Sequence, residues 1–266
     1  MTAIVSAQVF CGLGLDGVKR TRHLIGEAPV QMRIDERPYA VLWCTPGDLE
    51  PLAAGFCLSE GIIGGPGDLA RIELDSDGCG VNVVPVPGRR DMLLERLNGR
   101  RASMSDIALD GVPSLPDSPP LDPVAVRGLI ESLDVLQPLR ASTRAAHAAA
   151  LYDQALSLLA VAEDVGRHNA LDKAVGKLLM GGGFERIRVL VLSSRISFEM
   201  INKAARARAA VVAAVSRPTA IAVDLARRLN ITLATPYGME GLCVYCGGQR
   251  LGAASWEPSG MPANGG

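Results

Sequence analysis

Two cysteines three residues apart, Cys243 and Cys246 in the run LCVYCGGQR, have a type and spacing that suggest chemistry. Such a pair can clip a metal, switch between dithiol and disulfide, or carry sulfur as a persulfide. A structural zinc site takes four Cys or His ligands, and no second pair here has ligand spacing, so no zinc is expected. If Val244 and Tyr245 continue a strand, the two thiols point to opposite faces. Closing a disulfide then needs a turn, and Gly247-Gly248 arrives only after the pair. The plainer alternative is that both cysteines pack as small hydrophobes in a buried strand. Packing, a sulfur-handling or redox pair, and metal binding all stand as readings of the sequence alone, and Cys243 and Cys246 are the candidates for any catalytic role.

A second set of residues recurs wherever an apolar run gives way to a helical one. The junctions read EDVGRHN, SSRIS, SRPT and TPYG. Ligands of open α/β sheets bind beyond the carboxyl ends of the strands, and helix N-termini favour anions. Ser193, Ser194, Ser197, Ser216 and Thr219, with Arg195 and Arg217 and with Pro218 opening a helix, suit phosphate oxygens. Arginine binds such oxygens bidentately. Arg167 and His168 begin another helix, where cations oppose the helix dipole; a bound anion would relieve that. Asp172 lies four residues after His168 and is positioned to orient its imidazole. Asn169 and Lys173 share this first stretch, and the loop from Pro236 through Tyr237, Gly238, Met239 and Glu240 to Gly241 follows the last strand of the series. The expectation is one site for a phosphorylated ligand, a nucleotide above all. The competing reading is that the Ser and Thr residues are merely good helix caps.

Composition narrows the classes further. Lys plus Arg number 27 against 28 Asp plus Glu, and aromatics are 4% of 266 residues. That balance gives no footprint for nucleic acid or an anionic membrane surface. No apolar run reaches the length of about 18 residues needed to span a membrane. In MTAIVSAQVFCGLGLDGVKR the basic residues follow the apolar stretch, the wrong order for a secretory signal. A cytoplasmic protein is expected, with its six cysteines as thiols rather than a disulfide framework. A zinc deaminase needs H-x-E and P-C-x-x-C; none of His23, His147 or His168 is followed by that Glu, and Leu242 precedes Cys243.

The elements that must hold these residues follow from periodicity. Residues 1–25 show no convincing period. PVQMRID and YAVLWCT form a hairpin around Asp35-Glu36-Arg37-Pro38. Thr45, Pro46 and Asp48 read as N-cap, first helical position and capping box of a helix ending near Gly61. A second hairpin turns at Asp77-Gly78. The five prolines of GVPSLPDSPPLDP, residues 111–123, read as a linker or exposed loop. It divides an N-terminal β-rich α+β lobe (1–110) from a C-terminal α/β lobe (124–266). The second lobe alternates strands with helices, the signature of a mostly parallel or mixed sheet.

The motifs EDVGRHNALDKAVG, SSRISFEM, AAVSRPTAIAVDLA and GFCLSEGII together resemble those of the FdhD/NarQ family. That resemblance covers about Pro29 to Tyr245. It implies an α/β fold with a mixed sheet and a cytidine-deaminase-like main domain, and a cytoplasmic homodimer. It further implies binding of the bis-molybdopterin guanine dinucleotide cofactor of molybdenum or tungsten formate dehydrogenases. Its partners would be the dehydrogenase catalytic subunit and a cysteine desulfurase that supplies sulfur. The family's loop G-C-x-x-C-G carries that sulfur, but the corresponding window RLNGRRASMSDIAL, residues 96–109, contains no cysteine, and Ser103 and Ser105 cannot form a persulfide. The family's T-G-G-x-H is replaced by a run that keeps only His147. The chain therefore reads as a cofactor-binding accessory protein. The alternative is a sulfurtransferase with a displaced thiol at Cys243 or Cys246.

Overall fold

The structure is a computed structural model that describes residues 2–11, 18–88, 112–239 and 241–252. The window 96–109 and Glu240 lie outside those residues.

Within residues 1–25, where the sequence shows no convincing period, two strands form. Ile4–Cys11 (β1) and Val18–Ile25 (β2) pair antiparallel as a separate two-stranded ribbon. Its polar and apolar residues alternate too loosely to bury one face, which is why no period shows.

The first hairpin forms as expected, Ala28–Ile34 (β3) against Arg37–Cys44 (β4). Asp35 and Glu36 take positive φ of 51° and 67°, the two-residue turn that matches strand twist. Leu69–Leu74 (β5) and Gly80–Pro85 (β6) form the second hairpin, and the four strands order as β4-β3-β6-β5. Alternate residues Val30, Met32 and Ile34 of β3 face the core.

Leu49–Ser59 (α1) packs on that sheet, but its start differs from the capping box expected. Asp48 is the cap residue, in a left-handed conformation without a side-chain cap bond. Thr45 is drawn elsewhere, as described below.

The remaining strands build one six-stranded sheet in the order β12-β11-β10-β9-β7-β8. They are His147–Tyr152 (β7), Leu158–Asp164 (β8), Val189–Leu192 (β9), Val211–Ala214 (β10), Thr232–Tyr237 (β11) and Gly241–Cys246 (β12). The sheet is mixed rather than mostly parallel: only β9–β10 and β10–β11 pair parallel. The central runs VLVL and VVAA are buried throughout, as strands covered on both faces must be. Arg167–Gly181 (α4), Phe198–Arg206 (α5) and Ala220–Arg228 (α6) cover one face, and Pro123–Ser132 (α2) covers the other. Pro138–Thr143 (α3) leads into β7.

The stretch 112–122 is not a free linker. Leu115 and Leu121 are buried, and their amides donate to Leu229 O and Arg250 O. The buried guanidinium of Arg250 donates to Pro116 O (2.9 Å) and Ser118 Oγ (3.0 Å), and Arg188 donates to Pro119 O (3.2 Å). Burial, with Arg250 nearby, lowers the Arg188 pKa to about 10. Prolines cannot donate, so the strap offers carbonyls and the arginines supply the donors.

One apolar core runs from β3 through α1 and α4 into the six-stranded sheet. The crossing of α1 and α4 is made possible by two glycines. A Cβ on Gly55 would lie 1.9 Å from Asp172 O, and one on Gly176 only 1.8 Å from Pro51 O. Both obstacles are backbone, so neither can swing aside. Gly176→Ala is expected to lower stability by about 1–3 kcal/mol or more through overpacking, outweighing alanine's better helix propensity; a chemical-denaturation midpoint at or above wild type would contradict this close approach.

Candidate functional site

The strand directions gather the junctions at one edge. β7 is antiparallel to both β8 and β9, so β8, β9, β10 and β11 run the same way and end together. His147, the first residue of β7, pairs with Asp164, the last of β8. Ser193 N donates to Ala148 O (3.1 Å), and Ala148 N donates to Ser193 Oγ (2.8 Å). Ile196 and Pro218 form a parallel bridge, with Thr219 N donating to Ile196 O (3.0 Å). The Tyr237–Gly241 turn closes the row.

Within this row the expected residues divide into two groups. The first is structural. Asp164 is 0% exposed and Lys173 2%, and Lys173 Nζ lies 2.7 Å from Asp164 Oδ2. Lys173 also donates to Thr45 O (2.7 Å). Asp164 accepts further bonds from Thr45 N (3.0 Å), Gly166 N (2.9 Å) and Asn169 Nδ2 (3.1 Å). Thr45 Oγ1 accepts from Val165 N (3.0 Å), and Asn169 donates to Trp43 O (2.8 Å). Asp172 does not hydrogen-bond His168; it accepts from Ser59 Oγ (2.5 Å) and Lys203 Nζ (2.6 Å), tying α1, α4 and α5 together. Asn169, Asp172 and Lys173 are thus committed to internal partners. Ser193 is committed to β7. Ser194 is buried and its hydroxyl donates to Arg195 O (3.2 Å). Thr219 is an N-cap, accepting from Ala222 N (3.3 Å).

The second group is left over. Among the described residues, the side chains of Arg167, Arg195 and Arg217 enter no ion pair or hydrogen bond. Ser197 is the cap residue of α5, yet its hydroxyl bonds nothing. His147 Nδ1 is likewise buried without a partner. Burial and the Arg167 and Arg140 charges hold the His147 pKa below the usual histidine range. His168 is lowered too, by burial and Lys203, with Glu199 opposing. Its Nε2 lies 2.9 Å from Glu199 Oε2, near enough for charge interaction but without hydrogen-bond geometry. Ser216 and Pro236 are half-buried, while Tyr237 and Met239 are 72% and 90% exposed. Half-buried Arg167 lies close enough to both imidazoles for its charge to act on them, while Arg195 and Arg217 are exposed; guanidiniums free of internal partners suit phosphate oxygens.

The two cysteines of β12 differ. Cys243 is half-buried; Cys246 is buried, its Sγ 3.3 Å from Ile231 O and its pKa pushed up to about 11 by burial. A bulge opposite Leu233/Ala234 interrupts the register between them. Cys44 and Cys57 are buried with raised pKa values, and Cys79 is exposed at the second hairpin turn. Among the described residues no group of three or more His, Cys, Asp or Glu could hold a metal, and no helix is long and apolar enough to cross a membrane.

The FdhD/NarQ family model matches residues 25–252. The chain belongs to that family. Relatives named sulfur carrier protein FdhD include those of Bordetella parapertussis, 35% identical over 90% of this chain and 91% of the relative, and Streptomyces avermitilis, 38% identical over 89% and 92%. A crystal structure described as a formate dehydrogenase accessory protein of Desulfotalea psychrophila superposes with a TM-score of 0.78 over 94% of this chain and 99% of that one. At 22% identity it shows the shared fold.

Sequence reasoning missed Thr45 as a bridge, Asp164 as the hub and Arg127, whose guanidinium meets the Tyr237–Gly241 turn. The signal for Asp164 was present: an acid ending an apolar strand directly before Val-Gly. Lys173→Met strands the buried Asp164 carboxylate and is expected to cost about 3–5 kcal/mol, whereas Asp164→Leu with Lys173→Met should recover much of the loss. Equal destabilisation of the single and double variants in urea unfolding would show that the pair is not the hub.

Proposed function

We propose that this protein binds the bis-molybdopterin guanine dinucleotide cofactor, with molybdenum or tungsten, and delivers it to the catalytic subunit of a formate dehydrogenase. In this reading it acts in the cytoplasm, as a homodimer, and passes no sulfur through a loop cysteine. The observation that carries the reading is the set of unsatisfied groups at the strand-end edge: Arg167, Arg195 and Arg217 without ion pairs, and Ser197 Oγ and His147 Nδ1 without partners. For the buried Ser197 Oγ and His147 Nδ1, leaving a donor or acceptor unmade costs about 1–3 kcal/mol each, which a ligand rich in phosphate oxygens would offset. The relatives' shared name, sulfur carrier protein FdhD, supports the link to formate dehydrogenase maturation only together with the accessory protein that shares the fold.

The absence of cysteine from residues 96–109 separates cargo binding from sulfur transfer. A second reading keeps the sulfurtransferase activity and moves it to β12, with a cysteine desulfurase as donor. Cys243 favours it, being half-buried and two residues beyond the Tyr237–Gly241 turn, whereas burial keeps the Cys246 thiol protonated at neutral pH.

Guanosine diphosphate, the nucleotide portion of the cofactor, serves as the test ligand. Arg195→Ala should weaken its binding by roughly 1–3 kcal/mol, about a 5- to 150-fold rise in Kd by isothermal titration. Arg217→Ala should act in the same direction, and rising salt should weaken the wild type more than either variant. Absence of binding by the wild-type protein, or affinity unchanged in both variants, would refute the cofactor reading.

A further inference from the structure

We infer that Arg127, on the opposite face of the sheet from the unpaired arginines, is a positioning residue that sets the backbone at Gly238, Met239 and Gly241 for ligand binding. The inference rests on the cofactor reading and extends it to a residue the ligand does not touch. Arg127 lies in α2, its side chain 13% exposed. Nη1 donates to Gly241 O (2.9 Å), and Nη2 reaches Met239 O (3.3 Å) and, more distantly, Gly238 O (3.5 Å). Nε donates to Glu131 Oε1 (2.7 Å), one helical turn along, which fixes the plane of the fork. A guanidinium is a rigid array of five donors, so carbonyls that meet it must converge.

That convergence has a consequence for the amides. In a trans peptide the N–H points opposite to the C=O before it. Drawing the Gly238 carbonyl toward α2 therefore turns the Met239 amide away from α2. On that other side lie α5 and α6, with Arg195 and Arg217 leading into them. Gly238 holds φ at +58°, the left-handed conformation that lets successive carbonyls face one way. The same grip leaves the Tyr237 and Met239 side chains exposed rather than folded onto the core. Arg127 thus turns a backbone donor toward the anion-binding edge from behind.

Arg127→Met keeps the aliphatic packing and removes the donors; Arg127→Lys keeps one point charge without the fork. Guanosine diphosphate binding should weaken at least tenfold in Arg127→Met and by a smaller factor in Arg127→Lys, with thermal midpoints close to wild type. Amide hydrogen exchange should accelerate at Gly238 and Met239 in Arg127→Met, while amides of β9 and β10 keep their protection. Wild-type affinity in Arg127→Met, or unchanged exchange at the turn, overturns the positioning role while leaving the cofactor reading intact. Should Arg127→Met fail to fold, Arg127→Lys and Glu131→Gln carry the same comparison. No binding by the wild-type protein overturns the cofactor reading and this inference together.

Discussion

The site depends on a buried ion pair. Asp164 ends β8 with its carboxylate fully enclosed, and Lys173 reaches it from the second turn of α4. Two charges removed from water cost several kcal/mol each, and their attraction offsets this only when every remaining lone pair and proton finds a partner. Here Thr45, Gly166 and Asn169 complete the carboxylate, and Thr45 O takes a second proton of the ammonium. The requirement is geometric as well as energetic. β4, β8 and α4 must meet in one register for all of these bonds to form at once. That register fixes where α4 begins, and with it where Arg167 and His168 stand.

Apolar surface alone would not make this choice. The α1–α4 contact closes on Gly55 and Gly176, each against the other helix's backbone, and both helices bury small alanines as well, Ala53 and Ala54 in α1 and Ala170 and Ala174 in α4. The polar set Asp164–Lys173–Thr45 pins α4 to the ends of β4 and β8, and the set Asp172–Ser59–Lys203 pins it to α1 and α5. Freed from this duty, Arg167, Arg195 and Arg217 remain without internal partners at the strand ends. Arg195 and Arg217 are exposed there and Arg167 half-buried, so water solvates them, and the proposed function assigns them a polyanion instead.

Much of the framework was legible because its signals are local. Continuous runs such as VLVL and VVAA mark covered strands, the Asp-Gly and Asp-Glu turns mark hairpins, and the apolar stripe of Arg167–Gly181 marks its helix. The positions of the junction residues at one edge follow from the alternation of strands and helices. What was not legible is the choice among polar residues that look alike in sequence. Asn169, Asp172 and Lys173 share a stretch with Arg167 and His168, yet their partners Trp43, Ser59 and Thr45 come from more than a hundred residues away. Thr45 resembles a helix cap until Asp164 claims it. The strap 112–122 looks free by composition because the arginines that hold it, Arg188 and Arg250, lie far along the chain.

In the proposed function, holding the cofactor and carrying sulfur, the task for which the relatives are named, are separate. The unpaired arginines at the strand ends are what the proposed function assigns to the first, while the window 96–109, which the family resemblance assigns to the second, contains no cysteine. Intact mass spectrometry after incubation with a cysteine desulfurase and cysteine tests this separation most directly. The account predicts no reducible gain of one sulfur, in the free protein or with guanosine diphosphate bound. A gain of about 32 Da, the mass of one sulfur atom bound as a persulfide, that maps to Cys243 and disappears with reductant would contradict it and make the protein a sulfur carrier with a displaced cysteine.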